Sequence, residues 1–290
     1  MTDPVLIGVI GGSGLYHMAE TTDISRQAID TPFGKPSGDI VIGTLRGKRV
    51  AFLPRHGEGH IHAPSAIPQR ANVFALKTLG VRFILAVNAC GSLREEYAPG
   101  HIVIPNQLMD YTLSRRDRSF FEEGLVAHVS VADPFDAYLR GVMLEAVRDS
   151  GGTVHDGGTF LIEDGARFST RAESRIFQQW GCDLIGMTTA PEAFLAREAE
   201  IAYATMAHIT DYDSWHESEA PVTADRVMNT FQKNIALAER ALALAVERLD
   251  ASTTSPAHTA LNGAIVTARA KLSESLIAAL HPLIQRPLGL

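Results

Sequence analysis

Short apolar runs alternate along the chain with segments of small or polar residues. The runs have the length and the residue types of strands that are buried in a parallel sheet. Two of them flank Arg46-Gly47-Lys48, a short polar turn that predicts a hairpin. We expect strands at Val5–Ile10, Val41–Thr44, Arg49–Leu53, Phe83–Val87, His101–Pro105, Thr159–Ile162 and Leu184–Met187, and one that starts at Ile201 and ends at Thr210.

Between these runs, apolar residues recur at the spacing of amphipathic helices. Thr189 and Glu192 have the spacing of a capping box, so Thr188 lies just ahead of a predicted helix N-terminus, where anions bind readily. We expect helices at Ser65–Leu79, Asp133–Val147, Val222–Leu249 and Leu261–Leu280.

The alternation of strands and helices predicts an α/β fold with a twisted, largely parallel or mixed central sheet flanked by helices. We place one domain at residues 1–250. Ala251–Thr259 has the composition of a linker, so residues 251–290 are predicted to be a linker and a C-terminal helical appendage.

Composition narrows the class of protein. The net charge of −7 argues against general binding of nucleic acid, which needs a positive surface. Cys90 and Cys182 provide neither a disulfide framework nor metal-ligand spacing, and we interpret Cys90 as a small buried thiol. The first residues lack the pattern of a signal peptide, and no apolar run is long enough to span a bilayer. We therefore expect a cytoplasmic protein that binds neither nucleic acid nor membrane.

Polar chemistry follows four of the predicted strands: Gly11–Gly14, Arg55-His56, Asn88–Ser92 and Asp211–Asp213. The carboxyl ends of strands in an open α/β sheet are where ligands bind. The glycine loop is neither a dinucleotide fingerprint nor a P-loop, and a tight turn without a ligand is an equally good interpretation of it. The acidic segment, taken alone, is equally well explained as a solvated turn.

If these strand ends converge, the pocket has two chemical halves. Backbone amides of the glycine loop suit phosphate, and so do Ser13, Arg55, His56, Asn88 and Thr188. Asp211 and Asp213 suit the donors of a heterocyclic base, on which Phe168 can stack. Phosphate held beside a nitrogen base is what phosphorolysis of a nucleoside needs.

Seven segments carry a family resemblance: GGSGLY, TPFGKPSG, the Arg55-His56 loop, ACGSLREE, FSTRAES, MTTAPE and TDYDSW. In this order, over roughly Ile7–Leu249, the chain resembles the 5′-methylthioadenosine phosphorylases of the purine nucleoside phosphorylase family. The resemblance implies a nucleoside phosphorylase-like fold, no metal or organic cofactor, and a homotrimer, with a dimer of trimers left open. It also implies a pentosyltransferase of purine and methionine salvage, which converts 5′-methylthioadenosine and phosphate into adenine and 5-methylthioribose 1-phosphate.

The same resemblance assigns residues to roles. It implies that Asp211 is the general acid at the purine N7 and that, with Asp213, it selects a 6-aminopurine. It also implies that His128 reaches the 5′ end of the substrate from a neighbouring subunit. The implied phosphate contacts are Ser13, Arg55, His56, Ala89 and Thr188, beside Asn88; the implied nucleoside contacts are Phe168, Ser169, Met187, Val227 and Met228.

Two departures from the family pattern leave alternatives open. Asn88 stands where these enzymes commonly carry Thr, and Asn is typical of the branch that acts on 6-oxopurines. EDGARF replaces the usual EGPRF, with one more residue and no Pro. The nearest alternative is therefore a 6-oxopurine nucleoside or methylthioinosine phosphorylase. A remote one is a metal-dependent nucleoside deaminase or hydrolase, suggested by His60-Ile61-His62 and the two aspartates.

Overall fold

A mixed sheet of eleven strands runs through the residues that the computed structural model describes, namely 4–12, 18–113, 117–217 and 222–290. The strands are β1 (Ile7–Gly11), β2 (Thr22–Gln27), β3 (Ile40–Leu45), β4 (Lys48–Pro54), β5 (Phe83–Ser92), β6 (Ile102–Ile104), β7 (Gln107–Asp110), β8 (Val154–Asp156), β9 (Thr159–Ile162), β10 (Leu184–Gly186) and β11 (Ala202–Asp211).

The centre of the sheet is β5, which pairs in parallel with β1 and with β11. The main path is β2-β3-β4-β1-β5-β10-β9-β7, and β11 leads from β5 to β6 and then to β8. The predicted hairpin is β3–β4, with antiparallel pairing. The predicted mixed α/β sheet is therefore confirmed, and β1, β4, β5 and β11 run in the same direction with their carboxyl ends together.

The part of the chain that the structure describes contains six α-helices, and five of them pack in two clusters on the faces of the sheet. The cluster on one face contains residues of α2 and α5, and the cluster on the other contains residues of α1, α4 and α6. On β11, Ala204 and Met206 belong to the first cluster and Tyr203 to the second, as the two-residue period of a strand requires. The helices are α1 (Gln69–Thr78), α2 (Ala137–Asp149), α3 (Arg171–Gln179), α4 (Thr189–Glu198), α5 (Ala224–Arg248) and α6 (Glu274–Leu288).

Strand β5 ends at Ser92, well beyond its predicted end at Val87. The sequence predicts a turn at Asn88–Ser92, but β5 continues to Ser92 because β10 pairs antiparallel with its last two residues. Gly91 makes this passage possible: a Cβ there would lie 3.1 Å from Asp211 Oδ1 and 3.2 Å from Asp213 Cβ. The polar residues after Val87 are thus held in a strand rather than in a loop.

The C-terminal segment docks on the rest of the molecule. The predicted helix at Leu261–Leu280 is wrong in its first part, because α6 begins only after Ser273, whose side chain caps it. Leu280, Leu283 and Ile284 are buried in the second cluster, which contributes roughly 1.5–3 kcal/mol for each side chain. Arg286 Nε also donates to Glu200 Oε2 over 2.5 Å. The division at residue 250 stays a prediction.

None of the helices in the described part of the chain combines the length and the apolar character that crossing a bilayer requires.

Candidate active site

The polar strand ends meet in one cavity of about 310 Å³. Its walls come from the ends of β4, β10 and β11, from the second half of β5, and from the first turns of α5. The residues with expected roles that line it are Arg55, His56, Asn88, Ala89, Phe168, Met187, Thr188, Asp211, Asp213, Val227 and Met228.

Three residues with expected roles do not line this cavity as described. Ser13 lies outside the described residues. Ser169 is buried one hydrogen bond behind the wall, where its Oγ donates to Asp213 Oδ2 over 2.5 Å. His128 is exposed, and its backbone N–H donates to the carbonyl of Ala264. His128 is therefore not brought to the cavity of its own chain.

Arg55, which follows β4, is a buried cation with a built-in counterion. Its Nε and Nη2 each donate to Glu192 over 2.8 Å, and its Nη1 donates to the Val87 carbonyl over 2.8 Å. Burial alone would lower the pKa of Arg55, but the Glu192 carboxylate outweighs it and the pKa is raised. The Nε and Nη2 edge of the Arg55 guanidinium is therefore occupied by Glu192. Arg55 contributes to the cavity through its positive charge, and this edge is not available to bind a ligand.

Glu192 does not form the capping box that its spacing to Thr189 predicts, and it binds Arg55 instead. The predicted capping box with Thr189 is wrong, because Ala190 has an extended backbone (φ −105°, ψ 133°) inside the assigned helix, so that helical backbone resumes at Pro191. Glu192 is fully buried, and its Oε1 accepts from the Tyr203 hydroxyl over 2.7 Å as well as from Arg55. A buried charge needs such a partner, so Glu192 fixes Arg55 beside the cavity.

His56 is held as a neutral imidazole. Its Nδ1 lies 2.9 Å from the carbonyl of His62, which can only accept, so Nδ1 carries the proton. Burial lowers the pKa of His56 to about 4. With Nδ1 protonated and the ring neutral, Nε2 has a lone pair. His60, which also lines the cavity, stacks on this ring at 4.1 Å between centroids.

The opposite end of the cavity is acidic. Asp211 Oδ1 accepts from the backbone N–H of Asp213 over 2.8 Å. Burial raises the pKa of both carboxyls above its ordinary value. Thr210 Oγ1 lies 2.7 Å from Asp211 Oδ2 and 3.1 Å from the Cys90 carbonyl. The bonds that Asp211 accepts from Thr210 Oγ1 and from the Asp213 backbone N–H favour its carboxylate form, but burial outweighs them and the pKa is raised.

A third carboxyl, Glu163, lies at this acidic end. It follows β9, lines the cavity and is 5% exposed. Burial and the neighbouring Asp213 raise the pKa of Glu163 to about 8, so it is mostly protonated at neutral pH. The acidic end is thus an array of buried carboxyls that can exist as neutral acids.

Part of the cavity lining is apolar. Val227, Met228 and Phe231 lie on the first turns of α5 and line the cavity there. Phe168 and Met187 line it from two other segments. This part of the lining suits a substituent without hydrogen-bonding groups.

The family is decided by comparison with known proteins. The model of the phosphorylase superfamily matches residues 6–249. This chain belongs to the phosphorylase superfamily. It is 52% identical to the S-methyl-5′-thioadenosine phosphorylase of Chloroflexus aurantiacus, over 90% of this chain and 91% of that protein.

Solved structures agree with this assignment to the phosphorylase superfamily. A methylthioadenosine phosphorylase from an antarctic soil metagenomic library matches with a TM-score of 0.92 and 45% identity, covering 97% of this chain and 99% of that one. The methylthioadenosine phosphorylase of Schistosoma mansoni in complex with adenine matches with a TM-score of 0.79 and 38% identity, covering 83% and 91%. The family resemblance carried by the sequence motifs is confirmed.

The sequence assigns Glu192, the last residue of the motif MTTAPE, only to a capping box, and it assigns Glu163 no role in the site. It assigns His60 only to a candidate metal site. A buried arginine at a strand end was the available signal for Glu192, because such a charge requires a carboxylate partner. Glu163 is the first polar residue after a buried strand. Among the described residues, no group of three or more His, Cys, Asp or Glu side chains is arranged to hold a metal ion.

Proposed function

We propose that this chain catalyses the phosphate-dependent cleavage of 5′-methylthioadenosine to adenine and 5-methylthioribose 1-phosphate, without a metal or an organic cofactor. One observation carries the proposal: a single cavity has a buried cation and the Thr188 hydroxyl at one end and buried carboxyls at the other. The names of the related proteins support the same substrate.

Phosphate binds at the end that contains Arg55, His56, Asn88, Ala89 and Thr188. Arg55 supplies positive potential, and the Glu192 carboxylate keeps it in place. The lone pair on His56 Nε2 suits the protonated oxygen of a hydrogen phosphate ion, because a neutral imidazole can accept there. As the glycosidic bond breaks, positive charge grows at C1′, and the bound phosphate stabilises it and then attacks.

The purine binds at the carboxyl end, stacked on Phe168. Negative charge develops on the leaving base, and proton transfer to N7 from a protonated Asp211 neutralises it. Burial raises the pKa of Asp211 above its ordinary value, which favours the protonated form. Asp213, held by Ser169, accepts from the exocyclic 6-amino group. Met187 lies under the ribose, and the wall at Val227 and Met228 takes the methylthio group.

His128 completes the site of a second copy of the chain in a homotrimer. His128 does not line the cavity of its own chain. The exposed residues Val126 and Val131 are close to it in sequence, and the backbone N–H of the exposed Val266 donates to the carbonyl of Val126. Met228, which lines the cavity, is partly exposed, and Ile61, next in sequence to the lining residue His60, is exposed as well. Contact between the two patches, repeated around a threefold axis, buries both and brings His128 to the 5′ end of the neighbouring substrate.

A 6-oxopurine substrate is the second candidate, and one observation favours it. The pKa of Asp213 is raised as well as that of Asp211, and a protonated Asp213 can donate to a 6-oxo group. The two substrates differ at position 6, where a 6-aminopurine has a hydrogen-bond donor and a 6-oxopurine has an acceptor. A direct comparison of turnover therefore separates them.

The test is an assay of free-base release from 5′-methylthioadenosine, adenosine, 5′-deoxyadenosine and inosine, with and without phosphate and with a chelator. We expect phosphate-dependent release of adenine, fastest from 5′-methylthioadenosine and unchanged by the chelator. Faster release from inosine would transfer the proposal to the 6-oxopurines. Release that persists without phosphate but stops with the chelator would overturn it in favour of a metal-dependent hydrolase.

The assembly has its own test. The homotrimer predicts a mass near three times 31.3 kDa in light scattering. It also predicts that His128→Ala weakens binding of the nucleoside, and that mixing this variant with Asp211→Asn subunits restores part of the activity. A monomer with full activity contradicts the shared site.

A further inference from the structure

A chain of hydrogen bonds with a fixed direction leads to the phosphate end of the cavity. Its central member is Asn88, which is 4% exposed. Arg55 Nη2 lies 3.4 Å from one atom of the Asn88 amide, and Thr205 Oγ1 lies 2.7 Å from the same atom. An arginine can only donate, so the amide atom that faces it is the oxygen Oδ1.

The orientation of Asn88 decides what Thr188 does. With Oδ1 facing Arg55 and Thr205, the amide nitrogen faces Thr188, and Nδ2 donates to Thr188 Oγ1 over 2.8 Å. An amide nitrogen cannot accept, so the Thr188 oxygen is the acceptor in this contact. Thr188 makes no side-chain capping bond to the helix that follows it, and it lines the cavity. Its own proton is therefore left to donate to a ligand.

Thr205 is the residue that fixes this direction from behind the wall. It lies on β11, is fully buried and does not line the cavity. Because Oδ1 of Asn88 cannot donate, the 2.7 Å contact needs the proton of the Thr205 hydroxyl. The same hydroxyl is 3.3 Å from the Ala86 carbonyl, a longer contact. Without the Thr205 hydroxyl, only the longer contact with Arg55 distinguishes the two ends of the amide.

We propose that Thr205 is a positioning residue, which with Arg55 fixes the Asn88 amide so that the Thr188 hydroxyl donates to the phosphate oxyanion. This inference rests on the proposed function in taking phosphate as the ligand. It deepens that function by assigning a specific role to Asn88, the residue that departs from the family pattern. Asn88 accepts a hydrogen bond from Thr205 on β11 and, held in that orientation, donates one to Thr188.

The test compares Thr205→Val, which has a similar volume but no hydroxyl, with the matched control Thr205→Ser, which keeps it. We expect Thr205→Val to raise the KM for phosphate about tenfold, as loss of one directed hydrogen bond predicts, with the KM for the nucleoside changed less than twofold. Thr205→Ser should retain values close to those of the unmodified protein. An equal rise in both KM values would indicate general damage and would overturn the proposal.

A double-mutant cycle shows whether Thr205 acts through Thr188. Thr188→Val removes the terminal donor, so Thr205→Val should then change the KM for phosphate less than twofold. If the effects of Thr205→Val and Thr188→Val on the KM for phosphate are fully additive, the proposal that Thr205 acts through Thr188 is overturned. Thr205→Ala gives the same comparison if Thr205→Val does not fold.

A binding measurement separates this proposal from the proposed function. Calorimetry with inorganic phosphate alone gives a Kd that needs no turnover, and Thr205→Val should weaken it about tenfold relative to Thr205→Ser. If the unmodified protein binds phosphate but releases no base, the proposed function fails, and the positioning role of Thr205 is still tested by this Kd. An unchanged Kd in Thr205→Val overturns that positioning role whatever the activity.

Discussion

The two ends of the cavity control charge in different ways. At the phosphate end, Arg55 is a permanent cation. Glu192 binds it, and Tyr203 donates to Glu192, so this buried network keeps its charges fixed. At the base end, Asp211, Asp213 and Glu163 are carboxyls whose pKa is raised by burial. The phosphate end therefore offers a fixed charge, whereas the base end offers protons.

This difference matches the two halves of the proposed reaction. Phosphate is charged before and after the reaction, so its binding end gains most from fixed, oriented partners. The purine gains negative charge only as the bond breaks, so its binding end needs a group that can give up a proton at that moment. The predictions below test whether the two ends work separately, starting with the largest expected effect.

Asp211→Asn should lower kcat about a thousandfold, because an amide can hydrogen-bond to N7 but has no acidic proton to transfer. The KM for phosphate should stay within about twofold, since the opposite end is untouched. Initial rates of adenine release over a range of phosphate concentrations give both values. Asp213→Asn is the control, with a smaller expected loss in kcat. Near-full turnover in Asp211→Asn contradicts the assignment of the acid.

Glu192→Gln should lower the free energy of unfolding by about 3 kcal/mol, because it leaves the buried Arg55 without its counterion. We take the low end of the usual range because Gln keeps one acceptor oxygen for the guanidinium. Urea unfolding followed by circular dichroism measures the change. Glu217→Gln is the control, since Glu217 pairs with the exposed Arg175 and should change stability by less than about 1 kcal/mol. Equal effects of the two substitutions would contradict the fixed-cation description.

The buried His208 limits the stability of the fold at acid pH, and so sets the lower end of the pH range in which the two ends of the cavity can be compared. It lies on β11 opposite Ala89, its ring packs against Phe231 at 5.9 Å, and it is 1% exposed. Burial lowers the pKa of His208 to about 4 from 6.5. The unfolded chain thus binds more protons between these values, so stability is complete above pH 6.5 and falls as the pH approaches 4.

His208→Leu should therefore remove about 2 kcal/mol of acid destabilisation at pH 5, while the pH 8 value shows no such gain. Thermal or urea unfolding at both pH values gives the comparison, with the exposed His281→Leu as the control. A gain of equal size at pH 5 and pH 8 would mean that improved packing, and not titration of the imidazole, is responsible.

Sequence patterns predicted the sheet and the location of the site, because buried strands and their polar ends leave local signals. The strand at Thr159–Ile162 has the predicted bounds, and Arg55 and Asp211 line one cavity. The continuation of β5 to Ser92 was missed because it depends on pairing with β10, which is distant in sequence. Glu192 was misinterpreted for a similar reason: its spacing to Thr189 is local, whereas its partner Arg55 is 137 residues away.

Ser169→Ala should give the smallest effect and the sharpest separation of the two ends. Its Oγ donates to Asp213 Oδ2 over 2.5 Å, behind the cavity wall. Loss of this bond should raise the KM for the nucleoside about fivefold to tenfold, since the Asp213 carboxyl loses its orientation. The KM for phosphate should stay unchanged, which is the reverse of the pattern expected for Thr205→Val. Ser169→Thr keeps the hydroxyl and is the matched control. If Ser169→Ala and Thr205→Val shift the same KM, the two ends are coupled and the comparison of a fixed-charge end with a proton-donating end fails.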